Sequence, residues 1–306
     1  MGIAFVTGTS TGIGMATAVS LARAGHTVYA GMRNPQQEGE LHVAAIQQNL
    51  PIRIVKHDVD SDSSTREAIG HALAEAGRID VLVSNAGIGT MGSVEETTLS
   101  DFRSTMETNF FGALRCIQAV VPGMRQQSSG CIINVTSVAG RIATAPQGPY
   151  CSSKWALEAL SECLAQEVKS FGIRVAIVEP GIIATPIFGK IKEDISGTSY
   201  PHKRRINELF RASLEHPVSP FVVGERIRDI VDSGTWTLRH PVGPDASGFL
   251  QWRASLSDEQ WVAWGAMTDD EWVAYVRDKF GLNVSLRAAA HSPCRLEPAG
   301  ESAFAN

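Results

Sequence analysis

The stretch TGTSTGIG, residues 7–14, decides the fold of this chain. It follows the apolar run Ile3–Thr7, which predicts a buried strand, and it precedes Met15–Ala24, an amphipathic stretch of helical length. Glycines at such a turn let the backbone approach a pyrophosphate, and the N-terminus of a helix favours the negative charge. The spacing is GxxxGxG rather than GxGxxG. Strand, glycine turn and helix together predict a dinucleotide site.

Short apolar runs alternate with amphipathic stretches as far as Glu179. The further predicted strands are Thr27–Gly31, Ile52–Lys56, Val81–Asn85, Cys131–Ser137 and Arg174–Glu179. The further predicted helices in this region are Ser64–Ala76, Leu99–Gln127 and Tyr150–Phe171. Because the strands are apolar along their whole length, both faces of their sheet should be covered. The alternation predicts βαβ units and a parallel sheet, an α/β fold.

The pattern changes after about residue 185, where charged residues become more frequent. Residues 186–217 contain a predicted amphipathic helix, Lys203–Leu214, and form a candidate lid over the site or a plain surface segment. Phe221–Ser233 predicts a helix and Leu238–Asp245 a last strand. We expect residues 251–283 to be a Trp-rich helical extension, with a capping box at each of Ser257 and Thr268, and residues 284–306 to be a flexible tail.

Composition narrows the class of protein. The chain has 306 residues, 43% of them hydrophobic, and a formal net charge of -5, which indicates an enzyme-like globular protein with no nucleic-acid partner. No stretch reaches the roughly 18 consecutive apolar residues of a membrane span, and a strand at residues 3–6 leaves no room for a signal peptide. The five cysteines form no CxxC pair, so we expect no metal site, reduced thiols and a cytoplasmic location.

Ser137, Tyr150 and Lys154 form the candidate catalytic set. Tyr150 and Lys154 are four residues apart and share a helix face, so the ammonium can lie beside the phenol. A free phenol has a pKa near ~10, and a neighbouring cation favours the phenolate and lowers that pKa. A serine hydroxyl nearby can hold a carbonyl or alcohol oxygen. The set predicts proton transfer to and from a substrate oxygen.

Five motifs in order carry a resemblance to a known family: TGxxxGxG, Asn85-Ala86-Gly87, Ser137, Tyr150-x-x-x-Lys154, and Pro180-Gly181 with Thr185. Over residues 1–250 the chain resembles the short-chain dehydrogenase/reductase family. The segments Val28–Arg33 and Arg239–Ala246 resemble its branch of 17β-hydroxysteroid and retinol dehydrogenase-like members. The resemblance implies a doubly wound Rossmann fold with the site at the carboxyl ends of the strands.

By this resemblance, Tyr150 is the general acid for carbonyl reduction or the base for alcohol oxidation. Lys154 binds the nicotinamide ribose and lowers the pKa of the phenol, Ser137 holds the substrate oxygen, and Asn109 organises a water that leads to the lysine. The residues expected to bind the cofactor are Gly8, Ser10, Thr11, Gly12, Ile13, Gly14, Arg33, Asp58, Val59, Asn85, Ala86, Gly87, Tyr150, Lys154, Pro180, Gly181, Ile182 and Thr185.

The end of the second predicted strand indicates which nicotinamide cofactor is used. Members that prefer NAD(H) have an acidic residue about where Met32 stands here, and that carboxylate repels a 2′-phosphate. Arg33 follows at once and suits a phosphate. Thr11 occupies a place in the glycine turn where some NADP(H) users carry a basic residue. We expect NADP(H), with NAD(H) as the other possibility.

The expected reaction interconverts a ketone or aldehyde and an alcohol, and the branch resemblance implies a bulky, apolar, steroid-like or aromatic substrate. The candidate pocket residues are Ile88, Met91, Ile142, Ala143, Gln147, Ile187, Phe188 and Phe210. The main alternative is an NAD-dependent alcohol or hydroxysteroid dehydrogenase that works in the oxidative direction. A cofactor-sensing protein and an epimerase or dehydratase are weaker alternatives. Family members pair the helices Leu99–Gln127 and Tyr150–Phe171, which implies a homodimer or homotetramer.

Overall fold

Seven parallel strands form one sheet in a computed structural model that describes residues 1–35, 39–189 and 198–286. In chain order they are β1 (Ile3–Thr7), β2 (Thr27–Met32), β3 (Ile52–Lys56), β4 (Val81–Ser84), β5 (Gly130–Val135), β6 (Ile173–Pro180) and β7 (Arg239–Val242). Their order across the sheet is β3-β2-β1-β4-β5-β6-β7. The order reverses between β1 and β4, and ligands of such sheets bind in the crevice at that point.

Helices connect the strands and cover the sheet. Along the described residues they are α1 (Gly12–Arg23), α2 (Glu40–Gln47), α3 (Asp62–Ala76), α4 (Leu99–Met106), α5 (Gly112–Gln127), α6 (Gly148–Val168), α7 (Pro186–Gly189), α8 (His202–Ser213), α9 (Phe221–Ser233), α10 (Ala246–Ala254), α11 (Asp258–Gly265) and α12 (Asp269–Phe280). A π-helical turn, Glu107–Phe111, joins α4 to α5 without a break in the chain's helical path.

The two faces of the sheet bury separate apolar cores, as the uniformly apolar strands predict. On β1, Ala4 and Val6 pack into a core with α1 and α9, whereas Phe5 packs into a core with α3 and α5. All three side chains are completely buried. Successive side chains of a strand point to opposite faces, so a strand covered on both sides must be apolar at every position. The doubly wound parallel sheet is thereby confirmed.

The sequence located most elements within two or three residues of their observed bounds. The predicted strand Leu238–Asp245 is shorter, Arg239–Val242, because the chain turns at Gly243, whose φ is +109°. The predicted helix Leu99–Gln127 contains the π-helical turn. The short helices α2 and α10 were not predicted.

The C-terminal elements form a third apolar cluster beside the sheet. Ile206 and Leu209 of α8 pack there against Trp272 and Val276 of α12. The predicted capping boxes at Ser257 and Thr268 are present at the starts of α11 and α12. Of the predicted lid, residues 190–197 lie outside the described residues, as do residues 287–306 of the predicted tail. The division into a domain of residues 1–250, a lid and an extension stays a prediction.

Candidate active site

The glycine turn between β1 and α1 has three positions at which a side chain would be strained or would clash with neighbouring atoms. Gly8 and Gly12 have φ of +68° and +60°, which L side chains rarely adopt. A side chain on Gly14 would place its Cβ 2.2 Å from the carbonyl oxygen of Gly8. Thr11 precedes α1 but its side chain makes no cap, and the first turn carries no acidic residue. The N–H groups at the start of α1 therefore remain available for an anion, which fits a pyrophosphate.

Asn85, just after β4, holds this turn in place. Its Nδ2 donates to the carbonyl oxygens of Thr7 (2.9 Å) and Gly8 (3.2 Å). The hydroxyl oxygen of Thr7 in turn accepts from the backbone N–H groups of Asn85 (3.0 Å) and Ala86 (2.9 Å). These bonds join the ends of β1 and β4 where the sheet order reverses. Asn85 thus supports the glycine turn.

Asn109 lies in the π-helical turn and is 1% exposed. Its Oδ1 accepts from the backbone N–H of Ile88 (2.8 Å), and its Nδ2 donates to the carbonyl of Ile88 (3.0 Å) and to the hydroxyl of Ser153 (2.9 Å). A Cβ on Gly87 would lie 3.2 Å from Asn109 Oδ1 and 3.6 Å from Lys154 Nζ. Asn109 therefore stands next to Lys154 but behind the cleft surface, and it fixes the loop after β4 to which Gly87 belongs.

Ser137, Tyr150 and Lys154 come together at the ends of β5 and α6. Ser137 forms a side-chain hydrogen bond with the Tyr150 phenol, and its Oγ accepts from the backbone N–H of Ala139 (3.1 Å). Lys154 is 4% exposed, and its Nζ donates to the carbonyl of Val135 (2.9 Å). The same Nζ lies 5.7 Å from the centre of the Tyr150 ring. A hydroxyl, a phenol and an ammonium thus face one point of the cleft.

The pKa of Tyr150 differs in direction from what the sequence predicts. Burial raises the pKa of the Tyr150 phenol to about 12, against the lowering effect of its hydrogen bond with Ser137. The net lowering of this pKa that the i, i+4 spacing with Lys154 predicts is not found, because burial is the largest effect on the phenol. Burial also lowers the pKa of Lys154 itself to about 8, and the nearby Glu158 partly offsets that effect.

A buried network of charges behind the catalytic set was not found by sequence reasoning. Glu158 is one helical turn beyond Lys154 and 4% exposed. Its Oε1 accepts from the hydroxyl of Thr136 (2.7 Å), and its Oε2 accepts from Arg239 Nε (3.0 Å). Burial, and then the charge of Glu158, raise the pKa of the neighbouring Glu179 to about 7. The i, i+4 spacing of Lys154 and Glu158 was the one signal in the sequence that could have revealed it.

Asp245 is a second missed residue, and it holds the loop after β6. Its Oδ2 accepts from the backbone N–H of Ile182 (2.8 Å). A Cβ on Gly181 would lie 2.1 Å from Asp245 Oδ1, so this glycine is required by the contact. The loop Pro180–Ile182 is expected to face the nicotinamide, and Asp245 fixes its backbone. A lone aspartate far along the chain gave no sequence signal for this role.

One cleft at the carboxyl ends of the strands contains most of the predicted residues. It is lined by all of the expected cofactor residues except Gly14, which packs beneath the turn. Of the eight candidate substrate residues it is lined by all but Ile142 and Ala143, namely by Ile88, Met91, Gln147, Ile187, Phe188 and Phe210. Ile142 does not line it, because its side chain is buried in the protein (7% exposed). Among the lining residues that the sequence did not single out are His57, Asp60, Thr90, Thr108, Val138 and Ile183.

His57, at the end of β3 beside the expected adenine position, makes the folded protein sensitive to acid. It is 2% exposed, contacts Thr65 through Nε2 (3.1 Å), and burial lowers its pKa to about 4. Below pH 6.5 the unfolded chain gains a proton that the folded chain does not gain until about pH 4. The free energy of unfolding should therefore fall by about 3 kcal/mol from this group as pH decreases through that window.

Urea unfolding of wild type and His57→Gln at pH 6.5, 5 and 4 measures this effect. We expect His57→Gln to lose less stability toward pH 4 than wild type. His42→Gln, which changes an exposed histidine, is the matched control and should follow wild type. Parallel pH profiles for wild type and His57→Gln would contradict the assignment.

Comparisons with known proteins agree with this fold. Residues 2–196 match the family model described as short chain dehydrogenase. Oxidoreductase BOA17 of Botryotinia fuckeliana is 34% identical over 265 residues, which cover 84% of this chain and 95% of the relative. Retinol dehydrogenase 8 of Homo sapiens is 35% identical over 235 residues, 74% of this chain and 75% of the relative. A short-chain dehydrogenase of Streptomyces avermitilis has a similar structure, with a TM-score of 0.73, 33% identity, and coverage of 87% and 98% of the two chains.

The nucleotide-type crevice and the serine, tyrosine and lysine beside it define an oxidoreductase of the α/β class. The chain belongs to the short-chain dehydrogenase/reductase family, which uses NAD(H) or NADP(H) and acts on small molecules. Within the part of the chain that the structure describes, no helix is long and apolar enough to cross a membrane. The same residues contain no group of three or more His, Cys, Asp or Glu arranged to hold a metal ion.

Proposed function

We propose that this protein is an NADP(H)-dependent oxidoreductase that interconverts a ketone or aldehyde and an alcohol, with a bulky apolar substrate. The observation that carries the proposal is the convergence of Ser137, Tyr150 and Lys154 on the cleft that the glycine turn also lines. Reduction is the direction that the site favours, because a phenol with a pKa of about 12 holds its proton at neutral pH and can donate it.

The nicotinamide, when bound, supplies or accepts the hydride. Tyr150 gives its phenolic proton to the substrate oxygen as negative charge develops there, and Ser137 donates a hydrogen bond to the same oxygen. The Lys154 ammonium stabilises the phenolate that remains, since its Nζ is 5.7 Å from the ring centre. In the oxidative direction the same groups act in reverse.

The apolar half of the cleft supports a bulky substrate. Met91, Ile187, Phe188 and Phe210 line it, and the rings of Phe188 and Phe210 meet edge to face with their centres 5.0 Å apart. Aromatic rings of this kind offer large apolar surfaces to a ligand. The similarity to a retinol dehydrogenase, whose name denotes a bulky apolar alcohol, supports the same substrate class.

Arg33 decides between the two cofactors. It is exposed directly after β2, lines the cleft, and lies close enough to Asp60 to lower the pKa of that carboxyl, which burial raises. A guanidinium there suits a 2′-phosphate. The competing function, an NAD-dependent dehydrogenase in the oxidative direction, is favoured by Thr11, which gives the glycine turn no positive charge. Measured affinities for the two cofactors separate the two functions.

Arg33→Ala should weaken NADPH binding by about tenfold to a hundredfold, the worth of a charge-assisted hydrogen bond, and leave NADH binding nearly unchanged. Fluorescence titration of the purified protein with NADPH and NADH in parallel measures both dissociation constants. Arg66→Ala, which removes an exposed positive charge from α3 outside the cleft, is the control and should affect neither constant.

An equal loss for both cofactors in Arg33→Ala would remove the argument for NADP(H). Tight NADH with weak NADPH in the wild type would make the oxidative NAD-dependent function the better proposal. In that case alcohols with NAD become the substrates to screen in place of ketones with NADPH.

We further propose that the protein acts in the cytoplasm as a homodimer or homotetramer. The four cysteines within the described residues are free thiols, which agrees with a reducing compartment. The helices expected to pair carry exposed apolar side chains: Phe111 is 42% exposed, Trp155 46% and Phe171 40%. Such side chains are typical of surfaces that a second subunit covers.

A further inference from the structure

The Trp-rich extension, residues 251–283, contacts two elements that carry residues of the substrate half of the cleft, the segment before α6 and the helix α8. On one side, Nε1 of Trp261 donates to the carbonyl oxygen of Ala143 (3.2 Å). Ala143 belongs to the segment between Ser137 and α6, which also carries the cleft residue Gln147. Trp261 is itself held by stacking on Trp264, with ring centres 5.3 Å apart and planes 8° from parallel. The extension therefore touches the wall that precedes Tyr150.

On the other side the extension holds α8. Asp269, the first residue of α12, accepts from Arg205 Nε (2.9 Å) and Nη2 (2.8 Å) and also from Arg204. The side chain of Arg205 is only 7% exposed, so its charge depends on this carboxylate. Nε2 of His202, at the start of α8, lies 3.0 Å from the carbonyl oxygen of Gly265 in α11. Polar contacts thus fix the first turn of α8.

Apolar contacts between α8 and α12 extend further along α8 than these polar contacts. Ile206 and Leu209 are each 6% exposed and pack in one cluster with Trp272 and Val276 of α12. The same helix presents Phe210 to the cleft, where its ring meets Phe188. The position of Phe210 is therefore set by a helix whose other face is held by the extension.

Residues 198–200, just before α8, are held by the carboxylates of Glu95 and Glu96. The backbone N–H of Ser199 and the hydroxyl of Thr198 donate to the carboxylate of Glu96 (2.8 and 2.7 Å), and the Tyr200 hydroxyl donates to Glu95 (2.5 Å). Glu95 and Glu96 follow the cleft residue Met91. These contacts at the start of α8, together with the apolar contacts along it, indicate a helix that is fixed in place rather than one that swings freely.

We propose that the Trp-rich extension supports the substrate half of the cleft from behind without lining it, and that Asp269 is a positioning residue that locks α8 and, through it, Phe210 as a fixed wall of the cleft. This inference rests on the proposed function, which assigns that half of the cleft to the substrate. It adds to the candidate lid expected from the sequence a latch supplied by the C-terminal elements. The latch sets the size of the substrate that fits and leaves the cofactor half unchanged.

Hydrogen exchange on the full chain tests the latch without any substrate. In Asp269→Asn we expect backbone amides of residues 204–213 to exchange at least about tenfold faster than in wild type, with the glycine turn unchanged. Asp269→Glu keeps the charge and should restore most of the protection. The matched control is Asp270→Asn, which removes an equal charge from the same first turn of α12 and should behave as wild type.

Steady-state kinetics with a large and a small ketone test whether the position of α8 and Phe210 affects the binding of bulky substrates. With NADPH, Asp269→Asn should raise KM for the steroid ketone androstenedione about tenfold and leave kcat and the KM for cyclohexanone within about twofold. Unchanged exchange in α8, an equal effect in Asp270→Asn, or an equal change for both ketones would overturn the proposal. If the wild type reduces neither ketone, the proposed function fails, and the exchange comparison still confirms or overturns the latch.

Discussion

Tyr150→Phe should bind NADPH as wild type does and lose turnover by about a hundredfold to ten-thousandfold, the usual contribution of a positioned general acid. The substitution removes one hydroxyl and keeps the ring, so the buried surroundings of α6 are preserved. The lost group is the donor that holds its proton because burial raises the pKa of Tyr150 to about 12. Steady-state kinetics with NADPH and a ketone substrate, together with fluorescence titration of NADPH, measure the two quantities separately.

Tyr200→Phe is the matched control for this result. It removes a hydroxyl that donates to Glu95 at the surface and does not line the cleft. Its kcat should stay within a few fold of wild type. Near-normal turnover in Tyr150→Phe would show that another group supplies the proton, and the assignment of the catalytic set would be wrong.

Lys154→Met should reduce both NADPH affinity and turnover, each by about tenfold or more, because it removes the cation that lies beside the phenol and that we expect to bind the ribose. The pH profile provides a second readout. Lys154 is charged below its pKa of about 8 and loses its charge above it, so kcat/KM for NADPH in the wild type should fall as pH rises through 8. That alkaline limb should be absent from the residual activity of Lys154→Met.

Lys169→Met removes an exposed lysine that follows α6 and lies over the ring of Trp236, 4.8 Å from its centre. It should leave affinity, turnover and the alkaline limb unchanged. A limb near pH 8 that persists in Lys154→Met would have to arise from another group, and the role given to this lysine would then fail.

The residues found from sequence share one property: their chemistry requires a fixed spacing along the chain. Gly8 and Gly12 belong to one turn, and Tyr150 and Lys154 to one helix face, so local pattern alone locates them. Asp245 and Ile182 are 63 residues apart, and only the pairing of β6 with β7 brings them together. Sequence periodicity holds no information on such a contact.

The pKa of Tyr150 was predicted in the wrong direction for a related reason. Spacing gives the distance to Lys154, but burial and the direction of each hydrogen bond depend on the whole fold. Here the Lys154 ammonium donates to the carbonyl of Val135 on β5, and burial raises the pKa of the Tyr150 phenol. For a buried group the desolvation effect exceeds the effect of a cation several ångströms away.

The π-helical turn has a consequence for how this chain tolerates length changes. A π turn holds one residue more than the α-helical turn that it replaces, so deleting one residue within 107–111 would let α4 and α5 merge into a regular α-helix. The residues of the turn would then be redistributed around the helix axis, while α4 and α5 keep their directions. Asn109 would leave its bonds to Ile88 and Ser153 without any change in the catalytic residues themselves. A single missing codon here would therefore disable the site while the sheet still folds.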